Sequence, residues 1–201
     1  MDGRGKRNII RRLYDWVLHW AHTPYGTWAL FILAFTESSF FPIPPDVLLI
    51  ALAISLPLKS FRFALICSIG SVFGGLFGYF IGYQLMDIIG LPIIEFYGLM
   101  DKYEMIKKSY EENNALIVFI AAFTPIPYKL ITITAGAFQL NIFTFTLASI
   151  VGRSARFYIV AWLIHHYGES IKKFIDKYFN LLTVVFTVLL ILGFVVVKLM
   201  L

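Results

Sequence analysis

The sequence predicts an all-α integral membrane protein built as an inverted repeat, with two facing re-entrant helical hairpins, about three full transmembrane helices and interfacial amphipathic helices. Three observations lead there: an extreme apolar composition, uncharged runs of two distinct lengths, and a set of motifs that returns at nearly one offset. Of 201 residues, 59% are hydrophobic, 17% aromatic and 14% charged, with a mean hydropathy of +0.79. A soluble domain carries roughly 25% charged residues, so a water-soluble globular protein is excluded. Residues 1–201 are expected to form a single membrane domain. The lone Cys67 lies in an apolar run and leaves no disulfide scaffold or Cys-rich metal site.

Seventeen Lys and Arg against twelve Asp and Glu give a formal net charge of +5. Their positions argue against a nucleic-acid partner. Arg4, Lys6, Arg7, Arg11 and Arg12 crowd the start of the chain beside the hydrophobic body, as expected of a cytoplasmic N-terminus facing an anionic leaflet. No small-residue cleavage site follows, so the start does not read as a signal peptide. Lys172, Lys173 and Lys177 argue that their segment also lies inside, which would put the C-terminus outside.

Taken in order, residues 8–20 form a partly amphipathic lead-in, with Trp16, Trp20, Tyr25 and Trp28 suited to an interfacial belt. Residues 35–58 are too short and broken to span. Pro42, Pro44 and Pro45 remove amide donors and deny their predecessors helical geometry, so a helix breaks there, and 47–56 has the length of a half-span. The uncharged run 63–86 is long enough to cross. Residues 100–114, of mixed charge, suit a helix lying at the interface or, alternatively, a solvated loop helix. Residues 116–140 repeat the broken pattern around Pro125 and Pro127. A turn at Gly136, Gln139 and Asn141 then starts a spanning helix near Ile142 that runs to about His165. The run 178–197 marks a C-terminal transmembrane helix within 178–200. Broken backbone at membrane depth must face protein or a wet cavity, so the two proline breaks are expected to meet in the interior.

The halves resemble each other. Phe61, Phe63 and Leu65 return as Phe143, Phe145 and Leu147, and Gly70 as Gly152, an offset of 82 (152 − 70). Pro-Ile-Pro at 42 returns at 125, an offset of 83, and Ala-Phe-Thr at 34 returns at 122. This gives two repeats, about 8–86 and 100–165. One crossing per repeat inverts the second half, an architecture shared by many secondary transporters. Asp46 then aligns with Lys129 (129 − 46 = 83), presenting opposite charges at the two breaks.

Five ionisable residues sit where hydrocarbon is expected: Glu37, Asp46, Lys129, Arg153 and Arg156. Each costs ~2.5 to 3.5 kcal/mol at a helix centre, so they should share an interior site or line a wet path. Arg153 and Arg156 share one helix face, and Gly70, Gly74, Gly78 and Gly82 form a stripe on the other long helix that admits a close neighbour. Such a cluster suits an anionic phosphate or carboxylate head group, with arginine supplying forked donors. Low dielectric favours the neutral acid, making Glu37 or Asp46 a candidate proton carrier. The competing view is that these charges are only structural ion pairs. His165 and His166 suit an interface, and His19 and His22 the lead-in. No HExxH, GxSxG or Walker loop occurs, so neither metal, cofactor nor enzymatic chemistry is expected.

The stretch holding Glu37, the prolines and Asp46, the helix GSVFGGLFGYFIG, and the second break before Lys129 with Ala135 and Gly136 resemble the DedA family, also called the SNARE-associated or VTT domain. The tail from Gly152 to Tyr158 is most similar to its YqaA branch, and the resemblance covers about 25–168. It implies a multi-pass bacterial inner-membrane protein with two facing re-entrant hairpins that moves lipids, among them a phosphorylated polyprenyl carrier, with a link to protons. The family's functional acids carry over to Glu37 and Asp46, and its hairpin arginine to Lys129. Lysine stands where arginine is usual, and the additional arginine ahead of the second proline break is missing; Arg153 and Arg156 are the candidates to supply that charge.

The function expected is a lipid transporter or scramblase that carries an anionic head group past Lys129, Arg153 and Arg156, with Glu37 and Asp46 balancing charge. A proton- or ion-coupled transporter of a small solute is the second class; an intramembrane enzyme acting on lipids is the third, for which the sequence offers neither a nucleophile nor a metal site, and the remaining alternative is a structural membrane protein with buried ion pairs. A homo-oligomer is compatible with the sequence.

Overall fold

The computed structural model describes residues 23, 25–40, 44–124, 127–168 and 170, and every regular element among them is helical. Helices α1 (Gly26–Ser39) and α2 (Asp46–Ser55) are parted at the first proline cluster. Pro45 immediately precedes α2, a place where a fixed φ and a missing amide fit a helix start. A short 3-10 turn, Pro57–Lys59, leads into α3 (Ser60–Leu85), which continues through a π turn (Met86–Gly90) into α4 (Leu91–Phe96). Pro92 has no amide to donate, and the wider π turn just ahead of it lets the helix pass.

Gly98, at φ 64°, turns the chain into α5 (Met100–Glu112), followed by α6 (Asn114–Phe123) and α7 (Tyr128–Ala137), which starts directly after Pro127. Gln139 at φ 54° makes the predicted turn. The Asn141 side chain then accepts from the amides of Phe143 (3.0 Å) and Thr144 (3.1 Å), capping α8 (Ile142–Gly168).

Among the described residues, two helical runs are long and apolar enough to cross a membrane, Pro57–Phe96 of 40 residues and Ile142–Gly168 of 27. The first corrects the sequence expectation. The uncharged run 63–86 is only its middle, because Lys59, Arg62, Asp87 and Glu95 are good enough helix formers to carry the coil past the apolar stretch at both ends. At 1.5 Å per residue it is about 60 Å long, against a hydrocarbon core of about 30 Å. The predicted lead-in 8–20, the C-terminal helix 178–200, the basic residues at 172, 173 and 177, and Pro42 and Pro125 lie outside the described residues.

Packing sets the helix directions. Along α3, Gly70, Gly74 and Gly78 meet Phe31, Phe35 and Ser38 of α1 in ascending order, so these helices run in the same sense. Gly75, Gly78 and Gly82 meet Tyr128, Thr132 and Ile133 of α7 in the same ascending order. Helix α8 runs against α3: Phe145 stacks near Tyr79 (ring centroids 5.4 Å), Arg153 reaches Ser71, and His165 lies 2.9 Å from the Pro57 carbonyl. Gly152 of α8 receives Phe119 and Ala122 of α6. A Cβ at Gly70 would meet the Phe31 carbonyl at 2.7 Å and the Ala34 Cβ at 3.3 Å; one at Gly152 would meet the Phe119 carbonyl at 3.1 Å and the Ala122 Cβ at 2.6 Å. The same contact is thus made twice, with glycines 82 apart (152 − 70) and partners 88 apart (119 − 31, 122 − 34).

The interior divides into two apolar clusters. One joins α1 and α2 to Phe63, Ala64 and Cys67 of α3 and Phe157 and Ala161 of α8. The other joins α6 and α7 to Tyr79 of α3 and Phe145 of α8, with Tyr110 of α5 packed in. Burial pushes the Tyr103 and Tyr110 phenols of α5 up from their ordinary range. Tyr103 donates to the Ala137 carbonyl at 3.1 Å, which holds α5 against the end of α7. The outer face of α3 is apolar and exposed at Leu65, Ile69, Phe73, Phe77 and Phe80, as a lipid-facing helix requires.

Candidate functional site

The charged residues gather where the two apolar clusters meet. Glu37 lies near the end of α1 and Asp46 opens α2, one on each side of the first break. Arg153 and Arg156 reach them from one face of α8, three residues apart. Two of the described ion pairs result, Glu37–Arg153 at 2.8 Å and Asp46–Arg156 at 3.1 Å.

The two pairs differ in surroundings. Arg153 is 3% exposed. Its Nε donates to Ser71 Oγ, and its Nη2 to Glu37 Oε2 and, at 3.4 Å, to Ser38 Oγ. Its guanidinium carbon also lies over two aromatic rings, 4.9 Å from the centre of Tyr128 and 4.7 Å from that of Phe157. Ser38 donates to Glu37 at 3.2 Å, so in its 2.6 Å bond with Ser71 the proton comes from Ser71. Thr132 of α7 donates to the Ser38 carbonyl at 3.1 Å, and Tyr128 donates to Ser149, which joins both broken segments and both long helices in one network.

Arg156 grips Asp46 through Nε (3.2 Å to Oδ1) and Nη2 (3.1 Å to each oxygen), while Nη1 donates to the Thr124 carbonyl at 2.8 Å. Thr124 is the last residue before the second break, so this arginine ties both breaks together. The Asp46 carboxylate also sits in the first turn of α2, where the helix dipole favours an anion. The side chains of Arg156 and Asp46 retain 18% and 20% of their surface.

The sequence alignment set Asp46 opposite Lys129. The carboxylate instead goes to Arg156, whose planar fork engages it through two nitrogens where an ammonium offers one. Lys129 lies half-buried in the first turn of α7, is not a member of either pair, and its carbonyl accepts from Thr132 at 2.9 Å. Pro44 and Pro45 lead into α2 and Pro127 into α7. The glycine stripe was expected to face the arginines. Its actual neighbours are backbone and side chains of α1 and α7, and the arginine contact falls on Ser71 beside it.

A profile of the VTT domain matches residues 43–166. The chain belongs to the VTT domain (DedA) family. Over 190 residues it is 34% identical to an uncharacterised protein of Haemophilus influenzae, covering 94% of this chain and 98% of that one. A Histophilus somni homologue, also uncharacterised, is 36% identical over 169 residues, covering 84% and 86%. An uncharacterised archaeal protein from Methanocaldococcus jannaschii is 29% identical over 134 residues, 66% of this chain and 79% of that one. No solved structure matches. The VTT match, with the two long apolar helices, makes this a membrane protein.

The VTT match spans Asp46, Lys129, Arg153 and Arg156 but begins after Glu37. Sequence reasoning missed Ser38, Ser71, Tyr128 and Ser149, the neutral members of the network. For Ser71 a signal existed. At the 82-residue offset read from the sequence it aligns with Arg153 (153 − 71 = 82), the residue that it touches.

Proposed function

We propose that this VTT protein is a lipid transporter or scramblase of the bacterial inner membrane, passing an anionic phosphate head group through a polar notch formed by Glu37, Asp46, Lys129, Arg153 and Arg156 while the lipid tail stays in the bilayer. The observation that carries the proposal is the Asp46–Arg156 pair, a forked ion pair at the meeting point of two chain breaks that keeps about a fifth of its surface open. Partial exposure spares the pair part of its desolvation cost and also leaves the fork within reach of a ligand, and ionisable groups in an apolar interior mark pathways more often than scaffolding. Proton carriage by Asp46 or Glu37 would keep the moving charge balanced.

An inverted repeat with two re-entrant hairpins is the architecture that goes with this function. The doubled glycine contact, the opposite sense of α3 and α8, and the meeting of Ser71 with its equivalent Arg153 support it. So does the path of the first pair: α1 advances beside α3 to Gly78, and α2 ends one short turn before α3 begins.

The test is reconstitution into phosphatidylcholine vesicles carrying a trace of fluorescent phosphatidic acid, with quencher added outside. Protein should speed the loss of inner-leaflet signal, and Arg156→Ala and Lys129→Ala should slow it. Equal rates in wild type and both variants would rule out head-group binding here. Uptake of a small solute under a pH gradient, without lipid movement, would favour a solute transporter instead.

A further inference from the structure

We infer that the two ion pairs divide the work: Asp46 is a built-in stand-in for the substrate's oxyanion on Arg156, displaced when the head group binds, whereas Glu37–Arg153 is a clasp in the wall of the same notch that stays paired throughout. The inference rests on the proposed lipid transport and names the residue that makes the first contact.

The geometry separates the arginines. The Nε and Nη2 donors of Arg153 are taken up by Ser71, Glu37 and Ser38, its guanidinium carbon lies over two aromatic rings, and its side chain is 4% exposed. An incoming phosphate would have to displace a carboxylate from a guanidinium that is almost wholly out of reach. Arg156 presents Nε and Nη2 to a carboxylate alone, its third donor going to a backbone carbonyl. A carboxylate bridged by Nε and Nη2 occupies the side-on fork that two phosphate oxygens occupy equally well. The exchange is nearly isoelectric: one oxyanion leaves the guanidinium as another arrives, so Arg156 never stands uncompensated. Asp46 has somewhere to go, because it remains at the N-terminus of α2, where the dipole still favours its charge. Exposure of 18% and 20% gives the incoming group its access.

Full-length protein in phosphatidylcholine nanodiscs is titrated with short-chain phosphatidic acid, and separately with inorganic phosphate, to distinguish a lipid head group from a free oxyanion. Removing the internal competitor should tighten binding, so Asp46→Asn should bind phosphatidic acid about tenfold more strongly than wild type. Arg156→Lys, which keeps charge but loses the fork, should bind at least about fivefold more weakly. In wild-type protein labelled with nitrogen-15 at arginine, phosphatidic acid should move the Arg156 Nε–H resonance and leave that of Arg153 in place. This readout needs no variant, so it decides the matter even where Asp46→Asn fails to fold.

Asp46→Asn binding no tighter than wild type, or an Arg153 resonance that moves with lipid, overturns the exchange. If lipid is moved across vesicles while either of these holds, the exchange alone is wrong and the transport function stands. If wild-type protein binds neither phosphatidic acid nor inorganic phosphate and moves no lipid, both fall. Tight inorganic phosphate with no response to phosphatidic acid keeps the exchange at Arg156 and removes the lipid.

Discussion

Arg156 of α8 holds Asp46 of α2 by both carboxylate oxygens while its remaining nitrogen holds the Thr124 carbonyl. One side chain thus spans the two proline breaks. Reversing one partner should be damaging, and exchanging the pair should repair it. Asp46→Arg alone sets two cations side by side and should unfold the protein at a lower temperature; Asp46→Arg with Arg156→Asp should recover most of the loss. Recovery should stop short of wild type, because a cation at the start of α2 opposes the helix dipole by about 0.3 to 1 kcal/mol. Thermal unfolding in detergent measures this. The exchange of Asp46 with Lys129, suggested by sequence alignment, should show no such rescue.

The buried clasp should matter more for stability than the open pair. Arg153→Met leaves Glu37, whose side chain is 15% exposed, with only the Ser38 hydroxyl of the bonds described, and breaking one side of a buried pair costs up to about 3 to 5 kcal/mol. Adding Glu37→Gln removes the stranded charge and should return part of that. A double variant no more stable than the single one would show that Glu37 finds another partner.

Glycine substitutions should divide sharply by position. A methyl at Gly74 or Gly82 would run into the backbone of Phe35 or Ile133, and overpacking of this kind costs about 1 to 3 kcal/mol or more. Gly70→Ala and Gly152→Ala should cost similar amounts, since their neighbours are the same atoms of equivalent residues. Gly168→Ala, whose Cβ would find its nearest neighbour at 3.9 Å, should be neutral or gain up to about 1 kcal/mol in helix propensity.

Tyr128 lends a ring to Arg153 and a hydroxyl to Ser149. Tyr128→Phe keeps the ring and should cost about 1 kcal/mol for one hydrogen bond. Tyr128→Leu also loses the cation–π contact, worth up to about 2 kcal/mol in a dry site, and should be clearly worse in the same melting assay.

Cys67 is fully buried and should stay unreactive toward maleimides in the native state, giving a silent background for labelling. Leu58→Cys and Phe96→Cys stand at opposite ends of the long run and are exposed by 90% and 84%. An impermeant maleimide should reach them from opposite sides of a sealed vesicle. Labelling of both from one side would mean that this run does not cross.

The broken and unbroken helices were legible in the sequence because prolines and charges punctuate an otherwise uniform apolar chain. Asn141 and the turn before Ile142 were legible for the same reason: a cap and a left-handed residue leave local signatures. Partner choice was not. Pairing Asp46 with Lys129 followed from alignment, but alignment matches equivalent positions in two halves and is silent on which residue a third helix brings between them. Ser38, Ser149 and Tyr128 left no trace, since a neutral polar residue in a membrane helix reads as tolerated filler until its partner is known. The ends of the Pro57–Phe96 run were hidden because hydropathy reports burial in lipid and a helix needs only satisfied backbone.

Arg153 touching Ser71 also bears on how the interior holds a guanidinium at all. The two residues lie 82 apart (153 − 71), the same separation as Gly70 and Gly152. A hydroxyl on a short side chain gives the guanidinium an acceptor on α3 while leaving it the space over the Tyr128 and Phe157 rings. A second long cation at position 71 would take that space and set two like charges together in a dry interior, so the long side chain on α8 requires a short one opposite it on α3.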